Sequence, residues 1–309
     1  MPDWKELIEE LRATGSTHDQ LRRKYLAKLY DFTGRNIIVY YSSWLQKKDL
    51  RGQMSGFDVN DEDKNGFMSA IHGLDKTRGL DIFLHTPGGE ISAAESLVDY
   101  LRSIFGNNIR AIVPQLAMSA GTMIACSCKE ILMGKHSSLG PIDPQINGIP
   151  THGIIEEFNR AAQEISIKPY LIPLWQPIIA KYNPTLIGEC EKAMNWASEI
   201  VKDWLVSGMF ENDPDAETKA NGIISELADH ALTKSHARHI SMERAKQIGL
   251  NISALEDDQN LQEAVLSVHH ACILTLEQTN TIKLIQNQNG VAFLKQFIAL
   301  NQPMAIMPQ

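Results

Sequence analysis

Two short motifs carry residue types suited to acyl transfer. One is His85-Thr86-Pro87-Gly88-Gly89, the other Ala117-Met118-Ser119-Ala120-Gly121. Each follows a short apolar run and opens a helical pattern. A Gly-Gly turn leaves backbone N–H groups bare, and such groups stabilise an oxyanion. A serine among small residues at a strand-to-helix turn is presented as a nucleophile, with the helix N-terminus favouring negative charge. Ala117, Ala120 and Gly121 leave room for a substrate backbone. Taken singly, the motifs read as a strand-ending turn and a helix N-cap. Their order and joint spacing favour chemistry.

The elements that must position these motifs are legible around them. Asn36–Tyr41, Leu80–His85, Ile109–Val113 and Glu130–Met133 read as strands, being short apolar runs rich in β-branched residues and bounded by turns. Residues 47–65 read as a loop, and Phe67 to Thr77 as a short helix. Ala94, Leu97, Val98, Leu101, Ile104 and Phe105 recur at helical spacing, closed by Gly106. Residues 119–127 read as a buried helix. Strand–helix–strand–helix–strand order predicts an α/β fold with a parallel sheet. Helix is also expected over 4–30, broken near Gly15, over most of 152–229, over 241–250, over 258–285 and over 289–300.

Composition narrows the function. The chain has 309 residues and 43% hydrophobic residues, ordinary for a globular protein. Its 29 basic and 37 acidic residues leave a formal charge of −8, which disfavours a nucleic-acid partner. No apolar run nears the roughly 20 residues of a membrane span. The charged beginning lacks a signal-peptide core, so a cytoplasmic protein is expected. Cys126, Cys128, Cys190 and Cys272 form neither a disulfide framework nor a zinc set. The glycine turn has no GxxxxGK[ST] around it. No cofactor and no metal are expected.

The strand, glycine turn, helix, strand and serine turn, followed by HSSLGPIDPQ at 136–145, resemble the serine dehydrogenase proteinase family. That family is related to signal peptide peptidase A and the Clp protease. SHARHISMERAKQIGL at 235–250 resembles the segment that closes the core there. The resemblance implies a Clp/crotonase-like spiral. Its expected division is an N-terminal helical arm (1–33), a catalytic core (34–150), a helical insertion for oligomerisation (151–230), a core-completing segment (231–255) and a C-terminal helical region (256–309). It implies a serine peptidase acting on polypeptide as a homo-oligomer. Ser119 matches the nucleophile, Gly88 and Gly89 the oxyanion turn, and Ala120 the second donor.

A serine hydroxyl needs a base, and here the chain departs from its relatives. The Clp histidine aligns near Ile142 and Asp143. Lys168 is the nearest lysine in the downstream position that signal peptide peptidase A suggests. His136 opens the loop after the fourth strand. His85, His236 and His239 are further candidates, and Asp143 is too acidic to act alone but suits orienting a histidine. A crotonase-like acyl-CoA enzyme using the same oxyanion hole and a non-catalytic assembly protein remain alternatives. An α/β-hydrolase fits less well, because its nucleophile elbow has glycine where this chain has Ala117.

Overall fold

In the computed structural model, residues 17–51, 53–146, 148–228 and 238–297 are described. A seven-stranded sheet forms the centre, in the order β10-β5-β3-β2-β1-β11-β12. Its strands are β1 (Asn36–Ser42), β2 (Leu80–His85), β3 (Ile109–Val113), β5 (Glu130–Met133), β10 (Ile252–Ala254), β11 (Thr281–Asn287) and β12 (Ala292–Gln296). Neighbours from β10 to β1 run parallel, and β11 and β12 are added antiparallel. The strand expectations for β2, β3 and β5 coincide with the observed bounds.

Parallel strands need helices on both faces, and the residues divide accordingly. On one face Ile38, Tyr40, Ile82 and Leu84 pack against α2 (Asp63–Ile71), α3 (Ile91–Phe105) and α4 (Ala120–Cys126). On the other, Ile37, Val39, Tyr41 and Phe83 meet α1 (His18–Thr33) and α10 (Gln259–Gln278). Each fully buried side chain of this size contributes about 1.5–3 kcal/mol. Thr17 and Gln20 cap α1 reciprocally, and α1 lies in this layer through Leu21, Leu26 and Leu29 rather than standing out as an arm. The helix expected over residues 4–16 lies outside the described residues.

Two C-terminal expectations are corrected. Residues 281–287 leave the helix expected to 285 and form β11, and residues 292–296 form β12 instead of a helix. The hairpin turns at Asn289-Gly290, with Gly290 at φ +82°. Its first strand pairs with β1 inside the sheet, where backbone pairing outweighs the weak helical preference of Lys, Leu and Gln. The region 256–309 is therefore not simply helical, and the sheet is mixed.

A second, three-stranded sheet holds β4 (Leu116–Ala117), β6 (Ser138–Leu139) and β9 (Ile240–Ser241). It sits at the C-terminal ends of the parallel strands. A hairpin of β7 (Gln145–Ile146) and β8 (Ile149–Pro150) leads into the insertion, which supplies α5 (Thr151–Ile167), α6 (Ile172–Ile179), α7 (Leu186–Trp204) and α8 (Ala216–Ala228). Val201, Trp204, Leu205 and Ile223 join the main core, while Ile167, Tyr170, Ile172 and Leu174 are exposed at the far tip. α9 (Met242–Gln247) is capped by the Ser241 hydroxyl, as its sequence indicates. No described helix is long and apolar enough to cross a membrane.

Candidate active site

The two motifs meet where the small sheet crosses the end of β2. Thr86 N–H donates to Leu116 O at 3.1 Å and Met118 N–H to Thr86 O at 3.0 Å. These bonds stitch the glycine turn to the strand that leads into Ser119. Ser119 caps α4 with φ 51° and ψ −120°, a backbone region that L-residues avoid. Such a conformation costs on the order of 1–3 kcal/mol and is held only when its surroundings impose it. The helix imposes part of it: Gly121 N–H donates to Met118 O at 2.8 Å and Met123 N–H to Ser119 O at 3.0 Å.

Close packing imposes the rest. A Cβ on Gly88 would lie 2.5 Å from Ser119 Cβ and 2.7 Å from Met118 O. Gly88 adopts φ +93°, so this position excludes a side chain by conformation and by space. A Cβ on Gly121 would stand 2.5 Å from Thr86 Cγ2. On its outer side the glycine turn is held by Val59, whose N–H donates to Gly88 O at 2.7 Å and whose carbonyl accepts Glu90 N–H at 2.9 Å.

The turn's N–H groups are not equivalent. Gly88 N–H donates to Thr86 Oγ1 at 3.2 Å and is committed. Gly89 N–H has no partner among the described residues, and Ala120 N–H is the first of α4, where the helix offers no acceptor. Among the described residues, the N–H groups left without an acceptor are therefore those of Gly89 and Ala120, with Gly88 packed against Ser119 between them. Thr86 and Val59 escaped the sequence reading. A β-branched, hydroxyl-bearing residue inside the glycine motif was the one available signal for Thr86. Val59 lies in a stretch read as loop and carried none.

Ser119 and Gly89 line a groove of about 1130 Å³. Arg51, Asp58 and Glu90 contribute its charged lining, while Met123, Ile142, Ala193 and Trp196 contribute apolar surface. Ile142 and Pro144 come from the GPID segment, whose Gly140 N–H bonds Thr122 Oγ1 and Ala117 O. Asp143, between them, is completely buried.

None of the described base candidates, Asp143 included, lines this groove. Lys168 is exposed at the C-terminal end of α5. That helix has 17 residues, which places Lys168 about 25 Å from its groove-side end. His136 is exposed on the loop after β5 and does not line the groove. His85 shares the Phe83 face of β2. There it is enclosed by Trp44, Tyr41 and His269, at ring distances of 4.4, 5.3 and 5.7 Å. Both its ring nitrogens are buried without hydrogen-bond partners among the described residues, and burial pushes its pKa down to about 3. His239 lies beside Arg238 and Arg244 at a separate cavity of about 310 Å³, and His236 lies outside the described residues. No lysine or histidine lines the groove among the described residues.

The four thiols are buried and unpaired. Burial pushes the pKa of Cys126, Cys128 and Cys272 up to about 12, so these behave as inert apolar residues.

A parallel sheet whose end carries a strained serine against a glycine turn is the layout of a Clp-type serine proteinase. A family model for ClpP-like SDH-type serine proteinases matches residues 56–266. The chain belongs to that family. Similar proteins include the uncharacterized protein MJ0137 of Methanocaldococcus jannaschii, 28% identical over 74% of this chain and 72% of the relative. A second from the same organism, MJ1495, is 27% identical over 62% of this chain and 58% of the relative. Among solved structures, a membrane-bound stomatin-specific protease, 1510-N, aligns with 67% of this chain and 79% of its own at 18% identity and a TM-score of 0.40.

Proposed function

We propose that this chain is a serine endopeptidase. Ser119 Oγ attacks the scissile carbonyl, its proton passing to a base. Gly89 and Ala120 N–H groups bind the resulting oxyanion, with Gly88 setting the turn between them. Collapse of the tetrahedral adduct releases the amine product, and water then hydrolyses the acyl-enzyme. The observation that carries this reading is the strained Ser119 turn packed onto Gly88 with two N–H donors left open beside it. The groove supports a polypeptide substrate, and four free thiols support a reducing, cytoplasmic setting.

Lys168 fits as a base delivered by a neighbouring subunit of a homo-oligomer. It stands amid exposed Ile167, Tyr170, Ile172 and Leu174, an apolar surface suited to burial between subunits. Desolvation is what turns an amine into a base at neutral pH.

A fluorophosphonate probe tests the nucleophile. Labelling of the wild type at Ser119, absent in Ser119→Ala, is expected; failure to label the assembled protein would overturn the assignment. Mixing inactive Ser119→Ala and Lys168→Met subunits should restore peptide hydrolysis. Full activity of Lys168→Met alone would remove its role.

A further inference from the structure

A lysine is buried on the strand next to the sheet's edge, and nothing in the sequence explains it. Lys283 lies on β11 with its side chain 1% exposed, paired with Asp63 at 3%. Its ammonium donates to Asp63 Oδ1 and Oδ2 at 2.6 and 2.9 Å and to Asp58 O at 2.8 Å. Burying such a pair is costly, and apolar residues of similar volume often serve a core equally well. The partners of this pair lead to the glycine turn by two routes.

The first route runs through hydroxyls. Tyr40 OH donates to Asp63 Oδ2 at 2.8 Å, and its phenol is near enough to the Thr86 side chain to interact with it electrostatically; the Thr86 hydroxyl accepts Gly88 N–H at 3.2 Å. The second runs through backbone. Asp58 O is held by the ammonium, and the next residue, Val59, bonds Gly88 O and Glu90 N–H. Asp63 also accepts Asn60 N–H at 3.1 Å, closing the 58–63 loop on itself. The Val59 side of the Gly88-Gly89 turn is thereby tied through backbone to one buried ammonium on β11, while Tyr40 places the same Asp63 carboxylate near Thr86 on the other side.

We propose that Tyr40, Asp63 and Lys283 are positioning residues, a polar brace that fixes the Gly88-Gly89 turn so that Gly89 N–H points at the reacting carbonyl. Tyr40 and Lys283 both lie outside residues 56–266, the part matched by the family. The brace is supplied by β1 and by the C-terminal hairpin, which gives that hairpin a role at a site it does not touch. The proposal rests on reading the turn as the oxyanion hole.

Two variants test it. Tyr40→Phe removes one hydroxyl from the first route. Asp63→Asn with Lys283→Met removes both charges together, so neither is stranded. Amide hydrogen exchange is read at Val59 and Glu90, and at Ala271 and Cys272 in α10 as a distant reference. Peptide or ester hydrolysis is read as kcat and KM. Exchange at Val59 and Glu90 should accelerate about tenfold or more while α10 is unchanged, and kcat should fall about ten- to hundredfold with KM within about twofold. Uniform acceleration at all four amides would reduce the trio to ordinary core stability and overturn the proposal. So would unchanged exchange at the turn, or an unchanged kcat. Fluorophosphonate labelling of Ser119 separates the two readings: without labelling the peptidase reading fails, and the exchange data still decide whether the brace holds the turn.

Discussion

Gly89→Ala is the sharpest single perturbation of the site. The added Cβ would fall 2.3 Å from Val59 O, 2.4 Å from Val59 N and 2.8 Å from Val59 Cα. All three are backbone atoms, so no rotamer change relieves the overlap. The chain must part at the Val59 bridge, losing the Val59 N–H bond to Gly88 O and the Glu90 N–H bond to Val59 O. Two such bonds are worth about 1 kcal/mol each, and the overpacking adds about 1–3 kcal/mol. A loss of about 3–5 kcal/mol follows, visible as a drop of about 5–8 °C in Tm for a protein of this size. The displaced Gly89 N–H should cost a further hundred- to thousandfold in kcat. Melting curves and steady-state hydrolysis on the same preparation separate the effects, with Gly34→Ala as control. Gly34 also has positive φ, at +66°, but a Cβ there meets nothing within 4 Å, so that variant should lose about 1–2 kcal/mol and no activity. A Gly89→Ala enzyme with kcat within about threefold of wild type would refute the reasoning.

Other consequences are equally direct. Ser119→Gly and Ser119→Ala should both abolish hydrolysis, but Gly should be the more stable by about 1 kcal/mol because φ 51°, ψ −120° is open to it; chemical denaturation showing Ala the more stable would contradict the strained-turn account. His85 is held neutral, burial depressing its pKa from the ordinary histidine value of 6.5 to about 3. The unfolded chain therefore takes up the proton first, and the stability present above about pH 6.5 is lost as pH falls toward 3. The loss is about 2 kcal/mol by about pH 5, and urea titrations should show a shallower pH dependence in His85→Leu. Gly222→Ala, in the interior of α8 with nothing within 4 Å of the new Cβ, should raise stability by about 0.5–1 kcal/mol, as a thermal melt would show.

Much of the core was written locally. β2, β3 and β5 are short apolar runs bounded by turns, and the stripe from Ala94 to Phe105 repeats with the helical period, so neighbouring residues alone determine those elements. The two motifs were legible for the same reason, since a glycine pair and a serine among small residues announce their backbone needs. The C-terminal hairpin was not, because Lys283, Gln286 and Asn287 are all buried and mask the pattern that marks a strand. Their burial is repaid by partners more than 200 positions away, such as Asp63 and Ala70, which no local pattern reveals. Tertiary structure also divided the labour within the glycine turn: the sequence presents Gly88 and Gly89 as equals, and only the position of Thr86 Oγ1 commits one N–H and leaves the other open. It likewise sent His85 behind the sheet and Lys168 to the far end of α5, since strand alternation and helix length, not distance along the chain, determine where a side chain arrives.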